Sequence, residues 1–300
     1  MQIAFIGLGN MGGPMAANLV SAGHVVHGFD LAAPAMERAV GLGVQSAASP
    51  AAACHGAEAV ITMLPAGQHV EDVYTGRDGV LAVLPRATLL VDASTIDVAT
   101  ARELAARAGV DGHRMLDAPV SGGVTGAENA TLTFMVGGDP DGFEAAQPLF
   151  DAMGNKAVLA GGPGAGQAAK ACNNMLLGIS MIGLAEAFTL GERLGIKPET
   201  LFAISSAASG CSWAMLNHLP VPGIVETSSA NRDFQPGFAA AMMLKDLSLA
   251  QAAAAETGTA TPLGALAQAL YDEFVEGGGG VLDYAAVIRL IQARSAPSRA

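Results

Sequence analysis

The chain opens with an apolar run that leads through a glycine-rich turn into a helix-forming stretch. The run Gln2–Ile6 is followed by the turn Gly7-Leu8-Gly9-Asn10-Met11-Gly12, and a second apolar run, Val25–Phe29, ends on Asp30. A strand, a G-x-G-x-x-G turn, a helix and an acidic residue roughly twenty positions later form the pattern of a dinucleotide-binding α/β unit. The first thirty residues therefore predict both a fold and a ligand.

Each residue of this pattern has a physical task. Gly7 permits a tight turn, Gly9 lets the backbone approach a pyrophosphate, and Gly12 allows close packing of the helix on the strand. The N-terminus of the helix offers N–H groups and partial positive charge to the phosphates. The carboxylate of Asp30 accepts hydrogen bonds from ribose hydroxyls and repels a 2′-phosphate, and no arginine follows it directly. The predicted cofactor is therefore NAD rather than NADP.

The composition is that of a protein with large cores and few charges. Hydrophobic residues make up 51% of the 300 residues and charged residues 14%, and the formal net charge is −12. No run is rich in lysine or arginine, which argues against nucleic acid and anionic membranes as partners. No uninterrupted apolar stretch has the length needed to cross a bilayer.

The cysteines and the start of the chain bear on the compartment. Cys54, Cys172 and Cys211 are far apart and lack the spacing of metal ligands, so no metal is expected. The first strand begins at once, which leaves no room for a signal or transit peptide. Thiols without a secretion signal predict a reducing, cytoplasmic setting.

Residues 1–163 alternate short apolar runs with helix-forming stretches. Strands are predicted, besides the two above, over residues 59–64, 88–92, 114–117, 131–136 and 156–159. Strands that alternate with helices predict a doubly wound, mostly parallel sheet of the Rossmann type. Ligands of such sheets lie beyond the carboxyl ends of the strands, so the candidate site comprises segments 65–66, 94–95 and 118–123.

From residue 164 the chain is predicted to be entirely helical. Residues 165–194 lack proline and are rich in Ala, Leu, Met and Ile, which predicts one long helix, more apolar than a surface helix. Further helices are predicted from Lys197, over 239–256 and 263–276, and from Tyr284. We expect an NAD-binding domain over 1–163 and a helical substrate and oligomerisation domain over 164–300, joined by the long helix.

Three polar residues interrupt the apolar long helix, namely Lys170, Asn173 and Asn174. Lys170 and Asn174 are four positions apart, so they project from one face. The pKa of a lysine falls readily on burial, which suits it to proton transfer near neutral pH. Redox exchange between an alcohol and a ketone needs such a group at the oxygen, and Lys170 is the candidate. The alternative is a lysine that reaches solvent, with asparagines that cap nearby backbone.

A glycine-containing segment follows the predicted strand 114–117. It reads Asp117-Ala118-Pro119-Val120-Ser121-Gly122-Gly123 and ends in backbone N–H groups with little side-chain cover. This composition predicts a small anion cradle suited to a carboxylate, with the Ser121 hydroxyl as an extra donor. The alternative is an ordinary glycine turn.

Two features of the second half are open to two interpretations each. Lys245 and Asp246 either close over the cofactor or substrate, or form a structural ion pair within an apolar helix. Trp213 and Phe238 either wall a small pocket or belong to the core.

Taken together, these motifs resemble the β-hydroxyacid dehydrogenase family, and within it the 3-hydroxyisobutyrate dehydrogenases. The matching stretches occur in order over nearly the whole chain, at residues 7–12, 117–123, 164–174 and 245–247. The resemblance implies a Rossmann domain joined by a long helix to a helical substrate domain, in a homodimer or homotetramer. It also implies NAD-dependent oxidation of the small hydroxy-carboxylate (S)-3-hydroxyisobutyrate to methylmalonate semialdehyde, a step of valine breakdown.

The same resemblance implies roles for individual residues. Lys170 is the catalytic acid–base group, and Asn174 helps to hold it and the substrate. Ser121, Gly122 and Gly123 bind the substrate carboxylate. The cofactor, besides its contacts with the glycine turn and Asp30, touches Leu64, Pro65 and Thr95, and Lys245 lies near its nicotinamide end.

Several other functions are alternatives to this dehydrogenase activity. Within the family, the alternative substrates are tartronate semialdehyde, another short 3-hydroxy acid and 4-hydroxybutyrate. A 6-phosphogluconate-type activity is disfavoured by the length of the chain and by only five arginines in its second half. An imine reductase is expected to lack Lys170. A non-catalytic NAD-binding sensor would bind the cofactor without turnover.

Overall fold

The computed structural model describes residues 1–77, 79–85 and 87–295. The chain divides into two compact units, Met1–Lys170 and Ala171–Ala300.

The first unit is built on a sheet that contains nine strands among its described residues. The strands are β1 Gln2–Ile6, β2 Val25–Phe29, β3 Gln45–Ser46, β4 Ala59–Thr62, β5 Leu89–Asp92, β6 Arg114–Asp117, β7 Val120–Ser121, β8 Leu132–Gly137 and β9 Gly154–Gly161. They run in the order β3-β2-β1-β4-β5-β6-β8-β7, with β9 paired to β8. Pairing is parallel from β3 through β6, whereas β8 is antiparallel to β6 and β7 and parallel to β9. This arrangement confirms the predicted Rossmann fold with a mostly parallel sheet.

Helices cover both faces of this sheet because its strands are apolar on both sides. Phe5, Ile61 and Val91 belong to one buried cluster, and their neighbours Val60 and Leu90 belong to another. Successive side chains of a strand point to opposite faces, so continuous apolar runs need cover on both. The helices are α1 Gly12–Ser21, α2 Ala33–Gly41, α3 Pro50–Ala53, α4 Gly67–Thr75, α5 Val98–Val110, α6 Gly123–Glu128 and α7 Pro140–Met153, with a 3₁₀ turn at Val80–Ala82.

The second unit is helical, as predicted, apart from an isolated bridge between Ala239 and Asp283. Its core contains Met181, Leu247 and Tyr271, all fully buried. The long helix α8, Ala165–Arg193, begins in the first unit and continues into the second. The remaining helices are α9 Pro198–Ser206, α10 Trp213–His218, α11 Ala240–Thr257, α12 Pro262–Glu276 and α13 Ile288–Arg294, with 3₁₀ turns at Ser229–Arg232, Gly279–Val281 and Tyr284–Val287.

Among the described helices, α8 has the length and apolar composition of a membrane-spanning helix. Lys170, Asn173 and Asn174 interrupt this helix, so it is not the uninterrupted apolar stretch that the sequence was expected to lack. Half of its most apolar window is buried within the structure, and the core helices of soluble proteins meet the same criteria. Length and composition therefore do not by themselves place α8 in a membrane.

Candidate active site

The glycine turn between β1 and α1 has a backbone that only glycine can supply. Gly7 has a φ of +94°, and a Cβ there would lie 2.2 Å from the carbonyl oxygen of Met63. A Cβ on Gly12 would lie 1.9 Å from the carbonyl oxygen of Gly7. At Gly9 a Cβ would meet no atom within 4 Å, so this residue borders open space. The turn thus has tightly packed ends and a free middle, as a bound pyrophosphate requires.

Asp30 binds the turn from the end of β2. One carboxylate oxygen accepts a hydrogen bond from Leu8 N at 2.7 Å, and the other accepts one from Ala32 N at 2.7 Å. A carboxylate oxygen has a second acceptor site, so each oxygen can still receive a hydroxyl. Met11, the residue before α1, makes no side-chain hydrogen bond to the start of this helix. A helix start without a side-chain cap and a half-buried carboxylate that can accept ribose hydroxyls fit a dinucleotide with an unmodified ribose.

A hydrogen bond joins the segments that follow β4 and β5, beside the glycine turn. Leu64 N donates to Ser94 Oγ at 2.8 Å, and Met63 N donates to the carbonyl of Ile6 at 2.9 Å. β1 is flanked by β2 and β4, the point where the strand order reverses and where ligands of such sheets bind. The predicted cofactor contacts Leu64 and Pro65 therefore belong to the loop at this point.

Beneath these loops lies a buried carboxyl group, Asp92, the last residue of β5. Its Oδ1 accepts from Thr62 Oγ1 at 2.7 Å and from Ser94 N at 3.1 Å, whereas Oδ2 is buried without a hydrogen-bond partner. Burial raises the pKa of Asp92 to about 6, the bonds from Ser94 and Thr62 oppose the rise, and the charge of Asp117 adds to it. Asp92 thus holds the backbone of Ser94, and the free-energy cost of burying its charged carboxylate depends on pH.

We expect Asp92→Asn to change the pH dependence of stability. The pKa of Asp92 is about 6 in the fold and 3.8 without it, so the folded state binds the proton more tightly. The wild-type protein should therefore lose stability as pH rises from about 4 to 6, by on the order of 2–3 kcal/mol, and stay lower above that interval. Urea unfolding should show that the free energy of unfolding of Asp92→Asn, relative to that of the wild type, is higher at pH 7 than at pH 4.5. An equal difference at both values would contradict the assignment.

Lys170 lies near the predicted anion cradle. The side chain is 7% exposed, and Nζ donates to the carbonyl oxygen of Val120 at 2.8 Å, one residue before Ser121. Gly122 and Gly123 have φ values of +137° and +63°, and Gly122 is exposed. The segment therefore bends sharply beside the lysine and leaves its backbone accessible. Within the first unit, the structure brings together Lys170 and the predicted carboxylate site.

The first turn of α8 is held by Asp117, the last residue of β6. Its two carboxylate oxygens accept from Gly164 N at 2.7 Å and from Gln167 N at 2.8 Å. Burial raises the pKa of Asp117, and these backbone bonds oppose the rise. The carboxylate thus satisfies N–H groups that a helix start leaves without intrahelical partners, and it fixes the turn that precedes Lys170.

In the second unit, Asn174 belongs to a polar cluster in which Asn174 and Asp246 are buried. Its Nδ2 donates to Asp246 Oδ2 at 2.5 Å, its Oδ1 accepts from Asn173 Nδ2 at 3.0 Å, and Lys245 Nζ lies 3.6 Å from Asp246 Oδ1. Lys245 and Asp246 therefore form the ion pair that was one of two interpretations, and Asp246 also binds Asn174. A cofactor contact for Lys245 stays a prediction.

An aromatic row lies in the same unit. Trp213 is 59% exposed and its ring centroid is 5.1 Å from that of His218, which in turn is 5.7 Å from Tyr284. Phe238 stands against Tyr284 at 5.8 Å. The exposure of Trp213 shows that it is not part of this unit's core, while Phe238 is half-buried. In the described ranges, no group of three His, Cys, Asp or Glu side chains is arranged to hold a metal ion.

The sequence analysis placed Ser94 in a candidate segment but missed Asp92 and Gln167 as parts of this site. Gln167 has a side chain that joins the loop after β5 to α8, and it is 1% exposed. A glutamine in an apolar helix, one turn before the lysine, was the available signal.

Two protein-family models match the chain. Residues 2–162 match the NAD binding domain of 6-phosphogluconate dehydrogenase, and residues 164–291 match the model described as NAD-binding of NADP-dependent 3-hydroxyisobutyrate dehydrogenase. Both models describe NAD-binding segments, which confirms that the chain binds NAD, whereas the preference for NAD over NADP stays a prediction.

Curated relatives match over almost the full length. A 3-hydroxyisobutyrate dehydrogenase of Pseudomonas aeruginosa is 51% identical over 90% of this chain and 91% of its own. An NAD-dependent L-serine dehydrogenase of the same organism is 48% identical over 96% and 97%. The solved structure of the Mycobacterium tuberculosis 3-hydroxyisobutyrate dehydrogenase with L-serine is 50% identical, covers 97% of this chain and 98% of its own, and has a TM-score of 0.92.

Proposed function

Because the chain belongs to the β-hydroxyacid dehydrogenase family, on its 3-hydroxyisobutyrate dehydrogenase branch, we propose that it oxidises 3-hydroxyisobutyrate to methylmalonate semialdehyde with NAD. One observation carries the proposal. A buried lysine, Lys170, has its Nζ fixed 2.8 Å from the carbonyl oxygen of Val120, directly before Ser121 and the glycine bend. An acid–base group beside an accessible anion cradle suits a substrate with a hydroxyl close to a carboxylate.

In the proposed reaction, the backbone N–H groups of Ser121, Gly122 and Gly123 bind the substrate carboxylate. This contact orients the substrate so that its C3 hydroxyl faces Lys170. Asn174, one helical turn after Lys170 on α8, helps to hold the lysine and the substrate. Fixing both reacting groups at contact distance can remove on the order of 7–11 kcal/mol of the barrier.

Lys170 handles the proton. NAD, when bound, supplies the acceptor for the hydride that leaves the substrate carbon. Lys170 Nζ, neutral when the substrate binds, takes the proton of the hydroxyl as the carbonyl forms. A neutral Nζ takes up a proton through its lone pair, whereas its bond to Val120 O is made through an N–H, so that bond does not compete with this step.

L-Serine is the second candidate substrate. It shares the carboxylate and the C3 hydroxyl of 3-hydroxyisobutyrate and carries an ammonium group where the latter carries a methyl group. The relative named as an L-serine dehydrogenase is 48% identical to this chain, which supports L-serine as the second candidate. The cradle and Lys170 would serve either substrate, so the choice depends on what contacts C2.

A substrate panel tests the proposal. Purified protein is given NAD or NADP with 3-hydroxyisobutyrate, L-serine, glycerate, 3-hydroxypropionate or 4-hydroxybutyrate, and the absorbance of the reduced cofactor is followed. We expect the highest kcat/KM with 3-hydroxyisobutyrate and NAD, the latter because of the Asp30 carboxylate. Higher kcat/KM with serine or glycerate would keep the chemistry and change the substrate. NAD binding without turnover of any of them would favour the sensor.

We also propose a cytoplasmic homodimer or homotetramer that serves valine breakdown. Cys54, Cys172 and Cys211 are all free thiols, which fits a reducing compartment. The second unit exposes large apolar side chains, including Leu194 at 70% and Leu263 at 63%, which fits burial against another copy. Analytical ultracentrifugation of the assayed protein gives the mass, and a monomer would contradict the assembly.

A further inference from the structure

We propose that Gln167 is a positioning residue that fixes the loop carrying Thr95 to the helix turn carrying Lys170. The inference rests on the proposed function, in which Lys170 is the acid–base group and Thr95 touches the cofactor. All residues that carry it belong to the first unit.

The side-chain amide of Gln167 pairs with the backbone on both sides of Thr95. Its Nε2 donates to the carbonyl oxygen of Ser94 at 2.8 Å, and its Oε1 accepts from Ile96 N at 3.1 Å. The backbone groups demand one orientation of the amide, because a carbonyl needs a donor and an N–H needs an acceptor. Gln167 therefore makes the contacts that a neighbouring β-strand would make, and it holds Thr95 between them.

The backbone of Gln167 is equally constrained. Its N–H donates to Asp117 Oδ2 at 2.8 Å. A Cβ on the preceding residue, Gly166, would lie 2.3 Å from the carbonyl oxygen of Met135 and 2.6 Å from that of Asp117, so the helix turn rests directly on the strand ends. Because the backbone of Gln167 is held in place, its side chain can fix the position of the loop that carries Thr95.

The loop held by Gln167 also holds the loop after β4. Ser94, whose carbonyl binds Gln167, accepts from Leu64 N through its Oγ. A single chain of hydrogen bonds therefore runs from the predicted cofactor contact Leu64 through Ser94 to Gln167. Lys170 is three residues further along the same helix and lies on the adjacent surface. Gln167 thus sets the distance between the cofactor loops and the acid–base group.

Loss of the amide leaves two buried backbone groups without their partner. The Ser94 carbonyl and the Ile96 N–H would then have to shift toward other partners, and Thr95 would move with them. A displacement of about 1 Å in an active site can lower turnover by roughly 10²-fold even when no reacting group is removed.

Two variants of Gln167 and one control separate positioning from general destabilisation. Gln167→Met keeps the length of the side chain and removes both bonds. Gln167→Glu keeps the shape, but its carboxylate places an acceptor against the Ser94 carbonyl, and only the protonated form restores the donor. The control is Gln251→Met, a half-buried helical glutamine of the second unit whose side chain binds Thr261 and Met175.

Three measurements are made on each full-length variant. The first is NAD affinity by calorimetry without substrate, and the second is hydrogen exchange of residues 93–97. The third is kcat and KM with 3-hydroxyisobutyrate across pH. For Gln167→Met we expect about 10²-fold lower kcat, several-fold weaker NAD binding and faster exchange of the Ile96 amide. The control should match it in thermal stability and show none of these three effects.

Gln167→Glu adds a test that a merely structural role would not pass. Its activity relative to the wild type should rise as pH falls, because protonation of the introduced carboxyl restores the bond to Ser94. The titratable and charged groups around it are Asp117 on β6, Asp92 on β5, Arg102 of α5 against Gly164, and Lys170 itself. The ratio to the wild type removes the pH dependence that these groups give to both proteins.

Each outcome decides between the two proposals. Wild-type kcat, NAD affinity and exchange in Gln167→Met would overturn the positioning role, even if Lys170→Ala is inactive. Ordinary turnover in Lys170→Ala would overturn the proposed function instead. NAD affinity and exchange would then still decide whether Gln167 fixes the loop.

Discussion

Replacing Lys170 with alanine is expected to lower kcat by about 10²–10⁴-fold while NAD affinity stays close to that of the wild type. The buried Nζ of Lys170 is the group that takes the hydroxyl proton in the proposed reaction, and its 2.8 Å bond to Val120 O places it at the anion cradle. None of the predicted cofactor contacts is removed by the substitution. Stopped-flow turnover and calorimetric NAD binding on the same preparation measure the two quantities separately.

Two further substitutions make the expectation specific. Lys170→Arg keeps the positive charge, but a guanidinium does not give up its proton near neutral pH, so the loss of turnover should be as large. Lys156→Ala removes an exposed lysine of β9 in the same unit and should leave turnover unchanged. If Lys170→Arg kept ordinary turnover, Lys170 would act through charge and not through proton transfer.

Alanine substitutions at Gly12 and Gly9 are expected to weaken NAD binding for different reasons. At Gly12, the added methyl group would lie 1.9 Å from the Gly7 carbonyl oxygen and 3.0 Å from the Phe5 ring, so the turn must move and the fold loses stability. At Gly9, the methyl group meets nothing within 4 Å, so the fold should be unchanged. It would nevertheless occupy the space through which a pyrophosphate reaches the backbone.

Thermal unfolding and calorimetric NAD binding together distinguish these two effects. We expect Gly12→Ala to lower both Tm and NAD affinity, and Gly9→Ala to lower NAD affinity by at least about tenfold with an unchanged Tm. Gly41→Ala is the control, because a Cβ there also meets nothing within 4 Å and the residue ends α2. Normal NAD affinity in Gly9→Ala would mean that the phosphates do not cross this turn.

Most of the first unit could be predicted because its strands are apolar runs with clear ends. β1, β2 and β6 begin and end where the sequence predicted them. The two-residue strands β3 and β7 were not predicted, since two residues show no periodicity. The antiparallel direction of β8 depends on its pairing with β6, which composition does not encode. The six-residue helix Trp213–His218 was also missed, although Ser212 caps it through a bond from Met215 N.

The residues of the site likewise include some that the sequence predicts and some that it does not. Gly7, Gly12 and Asp30 lie in one local segment, so a short motif predicts them. Asp92 and Gln167 are recognisable only through partners that are distant in the chain. Thr62 Oγ1, which binds Asp92, is 30 residues away, and the backbone groups that bind the Gln167 side chain are 71 and 73 residues away. The sequence shows that these residues are polar among apolar neighbours, and only the fold shows what they hold.

The bonds that Asp117 makes to the start of α8 determine where this protein can be cut and rejoined with a relative. A chimera joined between residues 163 and 164, where the two family models meet, would take the Asp117 carboxylate from one parent and Gly164, Gln167 and Lys170 from the other. A join after Lys170 keeps the carboxylate, both amides and the lysine in one parental piece. The second unit should therefore be exchanged with least damage to the lysine's surroundings by crossing over inside the helix.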